Sequence, residues 1–262
     1  MAAGSVVVNP RRLGPLGLAR ELAQARRAGP VPETVFRLLR PFHGPAFDGI
    51  YARVMADPTG RRLLQEGRSL HPALLDEGAL RALPDDTLGH TYLRFMQENE
   101  IDIVSFAEAS LRHMARGDYA NDEAWTLANR LRDIHEIVHV LSGYGTDVLG
   151  EMCELAFNIN EDPRPKAARL AIRVNLVGFR RAGVRHAEAA IREAFGRSRR
   201  VGLMVAADWE ALLERPLEEV RARLQIEPPR AYVPVPPSPG DDGPPPLSNL
   251  LRALLLPEPA GF

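Results

Sequence analysis

At 262 residues, 45% hydrophobic and 26% charged, the chain is long enough to bury a substantial core as one globular unit. A formal net charge of −1 argues against bulk nucleic-acid binding. The single cysteine, Cys153, excludes an internal disulfide and fits a reducing compartment, and no apolar run reaches the ~18–20 residues that a bilayer crossing needs. Any membrane contact is expected to be peripheral.

The first thirty residues carry Arg11, Arg12, Arg20, Arg26 and Arg27 against Glu21 alone. They read as a basic N-terminal arm over 1–30, with a short surface helix from Leu13 to Arg27 and an organelle presequence as the alternative. Past the Pro30–Pro32 break, helical periodicity governs a domain over 31–226. Its first segments fall near Glu33–Arg40, Ala46–Ala56 and Thr59–Glu66, with Pro58 separating the last two. Leu83-Pro84-Asp85-Asp86 is a helix-start signal, followed by the stripe Leu88, Tyr92, Leu93, Phe95 and Met96. Ser105 and Glu108 form a capping box for a helix running to about Arg116 and ended by Gly117.

Asn121 caps a long central helix whose core stripe is Leu127, Leu131, Ile134, Val138 and Leu141. His135 and His139 lie one residue, about 100°, round from Ile134 and Val138, so they border the core. Gly143 and Gly145 stop this helix. Thr146 or Asp147 caps the next, which carries Glu151 in its first turns and runs to about Asn158. Cys153 sits among Met152, Leu155 and Phe157 and reads as a packed thiol rather than a nucleophile.

Charge is divided unevenly. Residues 76–161 hold 17 acidic side chains against 6 arginines, whereas 164–200 hold 11 basic ones against Glu188 and Glu193. The second stretch is either a solvated face or a surface for anionic lipid headgroups. It carries helical patterns at Lys166–Arg181 and Ala187–Gly196, followed by Val201–Leu213 and a final helix from Pro216 to about Ile226. The region 227–262 holds eleven of the 23 prolines and reads as an extended tail, with one apolar turn at Ser248–Leu256 able to dock. No strand alternation is long enough to defend, so the fold class is all-α.

The chemistry lies in the central motif. His135, Glu136 and His139 form HExxH, and eleven further residues lead to Glu151. Residues four apart on a helix share a face, about 5–6 Å between Cβ atoms, so both imidazoles can bind one ion. The plainer alternative is a pair of hydrogen-bonded histidines at the edge of the core. A zinc peptidase would use Glu136 as general base. Against it stand the missing third histidine, the early return of the chain at Gly143–Gly145, and the lack of an edge strand to hold a peptide.

His135, Glu136, His139 and Glu151, with Gly143, Thr146 and Gly150, resemble the HDxxH, eleven residues, Glu motif of the coenzyme Q biosynthesis protein 4 family. ADPTGRRLLQE at Ala56–Glu66, LPDDTLGHTYLRFM at Leu83–Met96, and DWE with PLEEVRARLQI at Asp208–Ile226 resemble the same family in the same order, covering most of 46–226. The resemblance implies an all-helical protein of ubiquinone biosynthesis, peripheral to a membrane, with a divalent metal beside a cavity for a polyprenyl tail. The metal would be zinc, with magnesium or iron as alternatives, on His135, Glu136, His139 and Glu151. The implied reaction is oxidative decarboxylation of a prenylated 4-hydroxybenzoate, in which Glu136 or Glu151 takes the phenolic proton. The other implied function is a non-catalytic isoprenoid-binding scaffold for a ubiquinone biosynthesis complex. Expected partners are the prenylated quinone precursor or isoprenoid lipid, the membrane surface through 164–200, other ubiquinone biosynthesis proteins and a second copy in a homodimer, with no nucleic acid. The expected location is the bacterial cytoplasm against the inner membrane, or the matrix side of the mitochondrial inner membrane. Three positions depart from the family pattern: Glu136 replaces an aspartate, Gly145 a proline and Ala156 an aromatic residue.

Overall fold

The computed structural model describes residues 5–7, 45–102, 104, 116–163 and 165–236. The expected Leu13–Arg27 helix, the Glu33–Arg40 segment, the helix opened by Ser105 and Glu108, and the Ser248–Leu256 turn lie outside the described residues. Among the described residues there are twelve α-helices and no strand, only two isolated bridges, Val7 with Tyr119 and Thr87 with Pro216. The fold is all-α.

Helices α1 (Pro45–Ala56) and α2 (Pro58–Gln65) meet at Asp57, whose side chain accepts the Gly60 N–H at 2.8 Å. Two short helices follow that periodicity did not reveal, α3 (His71–Leu75) and α4 (Glu77–Ala82). Asp76 ends the first and caps the second through the Ala79 N–H at 2.9 Å. Helix α5 (Leu88–Glu98) starts later than Asp85 and Asp86 suggest, because Thr87 is its cap. The Leu88 and Gly89 N–H groups bond to the Arg215 and Leu213 carbonyls, so a distant loop fixes the start.

The expected central helix is two segments, α6 (Asp122–Asp133) and α7 (His135–Ser142), interrupted at Ile134, where ψ opens to −8°. The hydrogen bonds from Ile134 to Arg130 and from Val138 to Ile134 persist, so the axis carries through. Neither proline nor glycine marks the interruption. Fully buried Arg130 ties α6 outward, donating to both Glu210 oxygens at 3.0 and 3.3 Å and to the Arg68 and Ala207 carbonyls.

Helix α8 (Val148–Phe157) occupies the centre, packed by α7, α9 (Pro165–Arg181) and α10 (Ala187–Arg197). Every residue from Leu149 to Phe157 is buried, which suits a helix apolar nearly all round. Val201–Leu213 is not one helix: a 3-10 turn (Met204–Ala206) and the short α11 (Trp209–Leu212) replace it. Buried Glu161 is the cause, accepting the Met204 and Val205 N–H groups at 2.7 Å each, while Asp208 caps α11. Helix α12 (Leu217–Leu224) ends at Gln225, which takes a left-handed φ of 58°. Residues 227–236 continue extended against the body, with Glu193 accepting the Arg230 and Ala231 N–H groups.

Glu161→Ala should leave two buried N–H groups without partners and cost about 2–4 kcal/mol. Burial pushes the Glu161 pKa up to about 7, above the ordinary value of 4.5. A raised folded-state value means its contribution is complete below pH 4.5 and is lost as pH rises through 7. The stability gap between wild type and Glu161→Ala, measured by denaturant melts, should therefore narrow by roughly 3 kcal/mol between pH 4.5 and 8. A gap that widens with pH would contradict this account.

Candidate metal centre

The site is built by a helix, a turn and a buried return helix. On α7 the four-residue spacing sets His135 and His139 side by side, ring centroids 4.9 Å apart and planes at 81°. Gly143 closes α7 at φ +76°, a left-handed conformation that glycine adopts freely, and its N–H returns to the His139 carbonyl at 2.9 Å. Asp147 then caps α8 through the Leu149 and Gly150 N–H groups. At Gly150 a Cβ atom would stand 2.0 Å from the Gly145 carbonyl oxygen, so only glycine lets α8 pass this close to the turn. One residue later comes Glu151.

Glu151 meets both histidines from the opposite helix. Its carboxylate lies 3.9 Å from His135 Nε2 and 3.7 Å from His139 Nε2. On α7 itself, His135, Glu136 and His139 each offer a ligand atom within 4.8 Å of the others. Neighbouring donors around a tetrahedral zinc, with bonds of about 2.0–2.2 Å, stand about 3.4 Å apart. The structure thus brings together all four residues that the sequence singled out.

Hydrogen bonding tests whether a cation fits. His139 Nδ1 donates to the Tyr144 carbonyl at 3.1 Å, which leaves Nε2 as the nitrogen with a free lone pair. That Nε2 is buried with no hydrogen-bond partner, as is Glu151 Oε2. A lone pair facing a carboxylate across 3.7 Å repels it unless a proton or a cation lies between them. Phe95 stacks on the His139 ring, centroids 5.9 Å apart and planes at 19°, and fixes its orientation. Two nitrogens and two carboxylates suit zinc and other divalent first-row ions, so the residues fit the implied metal.

Burial dominates the electrostatics. It lowers the His139 pKa to about 4, keeping the imidazole neutral as a ligand must be. It raises Glu136 to about 7, and Glu151 well above the ordinary carboxylate range with added repulsion from Glu136, Glu154 and Asp147. The site is closed on one side and open on the other: His139 and Glu151 are buried, whereas the His135 side chain is 20% exposed and Glu136 is partly so.

Sequence reasoning missed Glu154, buried with a carboxylate oxygen 3.6 Å from His135 Nδ1. A second acid three residues after Glu151, in an otherwise apolar helix, was the available signal. It also missed Tyr144 as the His139 partner, which side-chain type could not reveal because the carbonyl does the work. Cys153 is buried and burial pushes its thiol upward, as a packing residue requires. Two cavities of about 130 and 320 Å³ lie among described residues, and neither is lined by the four ligands.

The profile described as coenzyme Q (ubiquinone) biosynthesis protein Coq4 matches residues 42–230. A mitochondrial ubiquinone biosynthesis protein COQ4 homolog of Danio rerio is 31% identical over 181 residues, 68% of this chain and 63% of that protein. The Homo sapiens homolog is 28% identical over 68% of this chain and 64% of its own length. The Penicillium rubens coq4 protein is 25% identical over 87% and 72% respectively. The chain thus spans somewhat less than two thirds of several of these relatives. A crystal structure of a Nostoc punctiforme protein ascribed to ubiquinone biosynthesis superposes with a TM-score of 0.59 at 21% identity, covering 80% of this chain and 94% of that one. This last likeness concerns the fold.

Zinc added to the purified chain should bind more tightly at pH 7 than at pH 6, by about tenfold for each proton released, because Glu136 and Glu151 must deprotonate to become ligands. Calorimetric titration in buffers of different ionisation heat measures that release. An affinity independent of pH, with no proton released, would remove these carboxylates from the ligand set.

Proposed function

The chain belongs to the coenzyme Q (ubiquinone) biosynthesis protein Coq4 family, and on that premise we propose that it binds a prenylated 4-hydroxybenzoate at a divalent metal and replaces the C1 carboxyl by hydroxyl. The observation that supports this most is the unpartnered His139 Nε2 facing Glu151, with His135 and Glu136 completing the ligand set. In the proposed reaction the bond from C1 to the carboxyl group breaks and releases carbon dioxide. A C1–O bond forms from dioxygen, and the second oxygen atom leaves as water with two electrons and two protons from an external donor.

His135, Glu136, His139 and Glu151 would hold the metal, and a bound divalent ion would supply positive charge to draw in the substrate carboxylate or phenolate. Glu136 has a second part. Partly exposed, its carboxylate lies on the open side of the site and suits acceptance of the phenolic proton. Loss of that proton pushes ring electron density to the para carbon, where the carboxyl group departs. The extra methylene of Glu136, relative to the family's aspartate, gives the carboxylate reach toward a ligand on the open side.

The scaffold reading is favoured by one separate feature, the outer face of α9. Leu170 and Val177 are 62% and 44% exposed there among Lys166, Arg169, Arg173 and Arg181, and the helix contains no acid. Such a face suits an anionic membrane surface. No described helix is long and apolar enough to cross a membrane, and several relatives are named mitochondrial, so a peripheral place at an inner membrane is part of the proposal. A peptidase lacks support: among the described residues there is no strand against which a peptide could be aligned.

Purified zinc-loaded protein, with a prenylated 4-hydroxybenzoate in anionic vesicles, dioxygen and a two-electron donor, should release carbon dioxide and the hydroxylated ring. His139→Ala should lower turnover at least a hundredfold while helicity by circular dichroism is kept. Vesicle and substrate binding without product, in the wild type, would replace the enzyme by the scaffold.

A further inference from the structure

The stretch just beyond α12 does more than leave the domain. Residues 227–235 cross the turn between α7 and α8 and are held through six of their residues. Arg197 donates to the Glu227 carbonyl, Glu193 accepts the Arg230 and Ala231 N–H groups, and the His186 ring bonds to the Val233 carbonyl. The Val235 N–H reaches Asp147 Oδ1 at 3.0 Å, and the Tyr232 hydroxyl donates to Asp147 Oδ2. The same hydroxyl accepts the Gly145 N–H at 3.0 Å.

These contacts converge on the two backbone features that aim the ligands. The Tyr232 ring stands edge-on to Tyr144, centroids 5.3 Å apart at 88°, and the Tyr144 carbonyl holds His139 Nδ1. Asp147 caps the helix that carries Glu151 one turn later. Tyr232 therefore touches the residue that orients His139 and the residue that starts the helix of Glu151. A tyrosine is well suited to this, since its ring packs while its hydroxyl bonds in two directions. Gly145 is suited as well: a proline there would have no N–H to give.

We propose that Tyr232 is a positioning residue for the His139 and Glu151 ligand pair, acting through Tyr144, Gly145 and Asp147, with residues 227–235 as the strap that delivers it. This rests on the metal reading of the four ligands. The strap transmits its effect through geometry, since the hydrogen bonds and ring contact of Tyr232 go to Gly145, Asp147 and Tyr144. Removing its hydroxyl loosens the turn and lets the two ligand helices drift, which a metal senses more sharply than folding does.

The test uses the full chain with cobalt(II) as the probe, reading affinity and the visible absorption of the bound ion. Tyr232→Phe should weaken cobalt binding about tenfold and alter the visible bands, with a melting temperature within a few degrees of wild type. Arg223→Ala, exposed on α12 and outside the strap, should change nothing. Gly145→Ala supplies a second variant, since its Cβ would meet the Tyr232 hydroxyl at 2.8 Å. It should weaken binding, and adding Tyr232→Phe should recover part of the loss by vacating that space. Wild-type affinity and spectrum in Tyr232→Phe would overturn the strap alone, as would a double variant no better than Gly145→Ala. A wild-type chain that binds no cobalt would overturn the metal reading and the strap with it.

Discussion

Burial of Glu151 is the constraint on which the rest of the site depends. An isolated carboxylate in an apolar interior is costly enough that it either keeps its proton or is matched by a cation. Helix α8 places two such groups, Glu151 and Glu154, in a segment buried from end to end. The histidines of α7 are the groups that meet them, and His139 does so with an unprotonated nitrogen. A structure that only needed a core would place leucine at 151. The carboxylate is retained at the cost of stability, and cation binding is the use we propose for it.

Holding that arrangement takes anchors from well outside the motif. The carbonyls at the end of α7 are not left bare: Arg221 of α12 donates to those of Val140 and Leu141 at 2.9 and 3.0 Å. Arg197 of α10 lies over the Tyr144 and Phe157 rings and donates to the Ser142 carbonyl. Arg197 and Arg221 thus hold carbonyls and rings around the α7–α8 turn, while Arg130 ties α6 to the Glu210 carboxylate and two carbonyls. Several hydrogen bonds in one place define a geometry better than apolar packing does, because they fix direction as well as distance.

This division explains what the sequence revealed. The meeting of these residues was legible because their geometry is local: a spacing of four on a helix, a glycine turn and a short return determine where His135, His139 and Glu151 come together. The cap at Asp147 and the core stripe through Leu127, Ile134, Val138 and Leu141 were legible for the same reason. What escaped depended on contacts across the chain. Thr87 became a cap because the loop at 213–215 takes the next N–H groups, and 201–213 lost its helix to the carboxylate of Glu161. The place of Tyr232 beside Gly145 spans 87 residues, and no local pattern encodes it.

The departures from the family pattern can be judged against this geometry. Ala156 is fully buried in α8, where an aromatic residue would need the neighbouring helices to move apart. Gly145 exchanges the stiffness of proline for an N–H, and Tyr232 is present to accept it. Glu136 is partly exposed, so its longer side chain stands on the open side of the site. Each change falls where the surroundings absorb it, while His135, His139 and Glu151 are unaltered. The closed half of the site is therefore the part that the turn and its caps fix, and Glu136 lies on the half that a ligand can approach.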